Sequence, residues 1–189
     1  METKITKQIK KALYESNYER GRLKKFMVAE CSIRIFENYI WRDEGIVDFI
    51  GVDNNKLIHC YEIKQSVSDL KTKNKLTFVG NYNYLVIPKS FYNKYQKEID
   101  EKLSENLVDV GIIEVDIETG KILYIRKAKR REISVNVKEQ IFFRIITSMA
   151  YKLKDCDWCE YYKKQCNERG CCMKMYNKIM TTQENKVEE

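Results

Sequence analysis

Residues 46–64 read IVDFIGVDNNKLIHCYEIK, and the alternation within them decides the fold. Ile46 to Val52 is a short apolar run, Asp53-Asn54-Asn55 carries turn chemistry, and Leu57 to Ile63 is a second apolar run. Two such runs around a turn predict a β-hairpin. A three-residue loop centred on Asn55 sets Asp48 directly opposite Glu62, whereas a two-residue loop at Asn54-Asn55 leaves the two diagonal. Opposed residues carry Cβ atoms roughly 5 Å apart on one face of the sheet. The period of two then sets Lys64 on the face of Glu62.

Two carboxylates inside otherwise apolar strands raise one another's pKa unless something compensates. A divalent cation is the natural compensation, because Mg²⁺ takes oxygen ligands and keeps waters for a phosphate substrate. An adjacent lysine can position or deprotonate an attacking water, or neutralise charge developing on phosphorus. Asp48, Glu62 and Lys64 therefore make a candidate site for metal-assisted phosphodiester hydrolysis.

Working outward, residues 3–20 predict a polar, basic helix with little apolar face, broken at Gly21. A second helical stretch is expected around Phe26–Glu30, and residues 33–41 suit either a helix or a strand. Beyond the hairpin, Ser66 with Asp69 resembles a capping box, opening a helix to Phe78-Val79 with Gly80-Asn81 as its stop. Tyr84 to Pro88 reads as a buried strand, residues 90–103 as a helix, and residues 110–115 with 121–125 as a hairpin. The basic stretch KAKRR (127–131) leads out of the sheet toward a helix over 136–153. This order predicts one α/β domain with a mixed sheet. His59, the single histidine, alternates away from Glu62 and is given no role, and Tyr82, Tyr84, Phe91 and Tyr92 are expected in the core.

Lys and Arg outnumber Asp and Glu by 35 to 28, a net charge of +7 that suits a polyanionic partner. METKITKQIKKAL is too polar for a signal peptide, and no apolar run reaches the length of a membrane span. A cytoplasmic protein with no membrane association is expected. Abundant Lys, Ile, Asn and Tyr point to an AT-rich bacterial or phage genome, in the latter case acting in the bacterial host.

Asp48-x(13)-Glu62-x-Lys64 on a hairpin followed by a helix resembles the signature of the PD-(D/E)XK nucleases. YEIKQSVSDLKTKNK followed by YNYLVIP is similar to the E-x-K-S-S-x-x-D-F stretch, basic helix and Y-x-x-V-P strand of the MmcB-like DNA repair proteins in that superfamily. The likeness spans about residues 26–130. It implies a restriction-endonuclease-like mixed sheet, with Asp48, Glu62 and the Ile63 carbonyl holding Mg²⁺ or Mn²⁺ and Lys64 as the catalytic lysine. Glu30, on the expected preceding helix, fits the extra acid many such nucleases carry. Gln65, Ser66, Lys71, Lys73 and Lys75 lie just past the site as candidate phosphate contacts. Two departures stand out: Gln65 occupies a position where a small residue is frequent, and Val47 replaces the motif's proline.

Five cysteines crowd into seventeen residues as Cys156-x2-Cys159-x6-Cys166-x4-Cys171-Cys172. In a reducing compartment such spacing predicts metal ligation rather than disulfides. Cys156, Cys159, Cys166 and Cys171 (or Cys172) suit Zn²⁺, which takes four tetrahedral ligands. The alternative is an iron–sulfur cluster, which some RecB-type nucleases of the superfamily carry on C-terminal cysteines plus one upstream cysteine. Cys31 would then be the fourth ligand. The expected organisation is a nuclease core with its N-terminal helix over 1–135, a helix and Cys-rich segment over 136–175, and a frayed tail over 176–189. The expected function is metal-dependent DNA hydrolysis in repair, recombination or phage and defence processes, with RNA as a further possible substrate. The rival is a non-catalytic DNA-binding or adaptor protein that keeps the fold and docks a protein partner through the Cys-rich segment.

Overall fold

The computed structural model describes residues 3–19, 22–72, 76–104 and 108–154. Along the chain run α1 (Lys4–Ser16), β1 (Tyr18–Glu19), β2 (Arg22–Leu23), β3 (Lys25–Glu37), β4 (Ile40–Asp53) and β5 (Ile58–Ile63). Then come α2 (Val67–Lys71), β6 (Tyr82–Pro88), α3 (Lys89–Ser104), β7 (Gly111–Val115), β8 (Ile122–Arg126) and α4 (Val135–Lys154). The chain divides into two compact units, 1–145 and 146–189. The first holds the whole sheet; of the second, only the end of α4 lies among the described residues.

Six strands form one mixed sheet in the order β3-β4-β5-β6-β7-β8. The first three are an antiparallel meander, β5, β6 and β7 run parallel, and β8 returns antiparallel. Helices cover both faces of the central strands. One core joins Ile9 and Leu13 of α1 to Phe49, Tyr61, Ile63 and Val86. The other joins Leu70 of α2 and Phe91 and Ile99 of α3 to Leu85, Ile87 and Ile112. All six residues of β5 are consequently buried.

The central hairpin has the three-residue loop. Asp53 Oδ1 accepts the N–H groups of Asn55 and Leu57, each at 2.9 Å, and Lys56 takes a left-handed φ of 59°. The resulting register pairs Phe49 with Tyr61 and Ile50 with Cys60. Further along, β6 ends on Pro88, and β7 and β8 form the expected hairpin.

Three expectations are corrected. The N-terminal helix stops at Ser16 rather than near residue 20, and it does have an apolar face, burying Ile9, Ala12 and Leu13. Phe26–Glu30 is not helical but part of β3, because Val28 pairs with Ile50 and Ala29 with Phe49 across a thirteen-residue strand. Here pairing with a strongly apolar neighbour outweighs the helix-forming tendency of Met27, Ala29 and Glu30. The third concerns α2, which spans only five residues, since Thr72 leaves the helix at ψ 150°. Gly80 is accordingly no helix stop. A Cβ there would sit 2.9 Å from the carbonyl oxygens of Ile58 and Tyr82, so glycine lets this segment lie against β5.

β3 is an edge strand of the sheet, and Gln140 of α4 covers part of that edge. Its side-chain amide accepts from the N–H of Phe36 at 2.6 Å and donates to the Phe36 carbonyl at 3.0 Å.

Candidate active site

The β4–β5 ladder ends at Phe49 and Tyr61, and the next positions are Asp48 and Glu62. Here the Asp48 side chain takes over the ladder's role: its Oδ2 accepts the N–H of Ile63 at 2.8 Å. The neighbouring β3–β4 ladder is interrupted at the same level. Ala29 pairs with Phe49 and Cys31 with Val47, while Glu30 between them takes a left-handed φ of 50°. A non-glycine residue in that region of φ is a local distortion. It falls beside the carboxylate pair.

Glu62 is 4% exposed, and its Oε1 accepts the N–H of Thr77 at 3.3 Å. Burial, and then the charge of Asp48, push its carboxyl up to about 8. Burial also raises Asp48, against the Ile63 N–H and the ammonium groups of Lys64 and Lys10. Each carboxylate thus resists ionisation where it stands, mainly through desolvation. This is a site short of positive charge.

Lys64 follows β5 and is 8% exposed. Its backbone N–H continues the parallel pairing to the Val86 carbonyl at 3.0 Å, and its Nζ lies 3.3 Å from Asp69 Oδ1. Asp69 belongs to the first turn of α2, where Ser66 is the N-cap and accepts the Asp69 N–H at 3.1 Å. Its second oxygen accepts the Gln65 N–H at 3.3 Å, so the acid reaches back one residue beyond the cap. The short helix therefore fixes the chain just after the lysine.

Glu30 lies on β3, not on a helix, and its Oε1 is 2.8 Å from Lys10 Nζ. Among the described residues no three His, Cys, Asp or Glu side chains gather as a ligand set. Gln65 faces α1 instead of solvent, bonding Thr3 Oγ1 at 2.7 Å and also Thr6 Oγ1. Lys71 is exposed at the end of α2, while Lys73 and Lys75 lie outside the described residues. So do Cys156, Cys159, Cys166, Cys171 and Cys172 and the tail; Cys31 is fully buried in β3. His59 is buried against Tyr82 with its Nε2 3.1 Å from Asp53 Oδ2, a packed residue of the sheet.

The sequence reading missed Lys10, only 7% exposed, and Thr77, and it placed Asp69 in the cap of α2 without its pairing to Lys64. Lys10 was findable, since it lies next to Ile9 and three residues before Leu13 on the buried stripe of α1. Nothing in the local pattern marks Thr77.

No family model matches the chain, and no curated protein matches it. Among solved structures it is similar to a protein of unknown function from Silicibacter pomeroyi, with 13% identity and a TM-score of 0.57. That likeness covers 82% of this chain and 92% of the other, and at such identity it is a likeness of fold.

Proposed function

We propose that this protein is a Mg²⁺- or Mn²⁺-dependent deoxyribonuclease with a restriction-endonuclease-like fold, hydrolysing phosphodiester bonds at Asp48, Glu62 and Lys64. One observation carries the reading. Asp48 and Glu62 stand opposite one another where β4 and β5 part, and Glu62 is buried with its carboxyl raised to about 8. An acidic pair held at such electrostatic cost suits a divalent cation, and its oxygen donors are those a hard ion prefers. The residues therefore fit the group, with the Ile63 carbonyl as the expected third donor.

When bound, the metal supplies Lewis-acid polarisation of the phosphoryl oxygen and a more acidic water. The protein's own part is positioning. The Asp48 carboxylate is oriented by the Ile63 N–H and the Glu62 carboxylate by the Thr77 N–H. Lys64, anchored through Asp69, directs its ammonium to the water or to the charge that develops on the phosphate. Gln65 ties α1 to the segment that follows the lysine, and Ser66, the N-cap of α2, and Lys71, at its end, are the proposed phosphate contacts. Glu30, paired with Lys10, acts from the neighbouring strand.

DNA rather than RNA follows from the resemblance to the MmcB-like repair proteins, and both polymers belong in the assay. Zn²⁺ or an iron–sulfur cluster at the C-terminal cysteines stays a proposal based on their spacing, checked by elemental analysis. Among the described residues no helix is long and apolar enough to cross a membrane, and a cytoplasmic location is part of the same proposal.

The test is cleavage of single-stranded, duplex and branched DNA, and of RNA, with Mn²⁺, by wild type, Glu62→Ala and Lys64→Ala. Loss of two or more orders of magnitude in both variants is expected, the usual scale for removing a group that stabilises transition-state charge. Equal cleavage by all three proteins sinks the assignment. Tight DNA binding without cleavage by any of them favours the non-catalytic rival.

A further inference from the structure

Beyond Val47 the β3–β4 pair continues without β5 alongside, as a two-stranded ribbon closed by a turn at Asn38-Tyr39. Its two faces differ. Cys31, Ile33 and Ile35 are buried, whereas Ser32, Arg34 and Phe36, with their partners Ile46, Asp43 and Trp41, are exposed. Near the tip Phe36 and Trp41 pack at 5.1 Å between ring centroids, and 63% of Trp41 remains in solvent.

Beside Trp41 lies an open cleft of about 350 Å³ lined by Arg34, Trp41, Arg42, Asp43 and Arg144. Three guanidinium groups and one carboxylate surround one indole. Arg34 pairs with Asp43 at 3.5 Å, and Arg42 with Glu37 at 2.7 Å. For Arg144, no ion-pair partner lies among the described residues. An aromatic face flanked by arginines has the chemistry of a nucleotide site, since the ring accepts a base and the guanidinium groups accept phosphate. A protein partner matches this lining less well, because a guanidinium without an ion-pair partner among the described residues, beside an exposed indole, suits an anionic, planar group.

We propose that the Trp41 cleft is a binding site for an unpaired nucleotide of the substrate, so that the nuclease takes single-stranded or overhanging DNA with a base stacked on Trp41. The inference rests on the nuclease reading for the polymer and deepens it by naming the strand's form. Trp41 lies about 23 Å along β4 from Asp48, at the rise of a β-strand, so the contact is to a nucleotide several positions from the bond cut. Duplex DNA keeps its bases stacked in the helix and offers no base face to the indole.

Affinity of a fluorescently labelled single-stranded oligonucleotide, and of the matching duplex, is measured by anisotropy with Ca²⁺ in place of Mg²⁺. Trp41→Ala should weaken single-strand binding between about 5- and 150-fold, the range base–aromatic stacking supports, while Trp41→Phe recovers most of it. Duplex affinity should change less than about 3-fold in either variant. Arg144→Gln should weaken single-strand binding and flatten its salt dependence. Unchanged single-strand affinity in Trp41→Ala, an equal loss for duplex, or no oligonucleotide binding by wild type overturns the proposal. The two readings fail separately. Cleavage that survives with no effect of Trp41→Ala removes the nucleotide site and keeps the nuclease, and Trp41-dependent binding without cleavage does the reverse.

Discussion

The charge state of Glu62 links the candidate site to the stability of the chain. Its carboxyl is raised from an ordinary value of 4.5 to about 8, by burial and then by Asp48. Between those two values the folded protein holds more protons than the unfolded one. The contribution of Glu62 to the stability of the metal-free protein therefore falls as pH rises from about 4.5 to about 8, and is greatest at the acid end of that window. Glu62→Gln keeps the shape and removes the ionisation. In EDTA at pH 8 this variant should melt higher than wild type, by on the order of 5 °C, and the difference should shrink toward pH 5. A melting-point difference between Glu62→Gln and wild type that does not change between pH 5 and pH 8 would falsify this account of Glu62. Lys10 gives a second test at this scale. Its charge lowers the carboxyl of Asp48, and its ammonium pairs with Glu30 at 2.8 Å. Lys10→Met should tighten Mn²⁺ binding several-fold in a calorimetric titration while slowing cleavage, because the cation competes with metal for the acids. Weaker Mn²⁺ binding would instead make Lys10 a support for the ligands.

Among the elements, the hairpin β4–β5 was the most legible. Asp53 and the two asparagines announce the turn, the apolar runs announce the strands, and the three-residue loop decides which residues face one another. Asp48 and Glu62 were readable for that reason. The partner of β4 on its other side was not. Met27, Ala29 and Glu30 favour a helix locally, and only pairing with residues some twenty positions away makes them a strand. Glu30 therefore came to lie near the site by a different route from the one expected. The end of α2 was hidden similarly, since the polar stretch after Lys71 continues a helical pattern while Thr77 is drawn onto Glu62. Close backbone approaches leave no periodic trace either. At Gly111, on β7, a Cβ would fall 2.6 Å from the Ala128 nitrogen and 2.7 Å from Tyr84 Cδ1. Gly111→Ala should lower unfolding free energy by about 1–3 kcal/mol in urea, as overpacking of a buried strand does. An unchanged midpoint would mean that the segment after β8 moves aside freely.

The whole molecule carries a net charge of +7. If DNA is the partner, affinity of a cleavage-deficient Glu62→Gln variant should fall steadily with added salt, by at least 10-fold between low and physiological ionic strength. A flat response would mean that the basic surface is not the one the polymer meets. The six-stranded sheet has an open border. β3 is thirteen residues long with nothing paired to its outer side among the described strands, and an unpaired border can take on a strand from another chain. Gln140 occupies both main-chain groups of Phe36 on that border, imitating one residue of a neighbouring strand. Its consequence is one of self-association. Gln140→Ala should leave the monomer folded but raise its tendency to form dimers and larger aggregates in concentrated solution, seen by light scattering. The side chain thus acts as a guard against polymerisation, set near the tip of the β3–β4 ribbon.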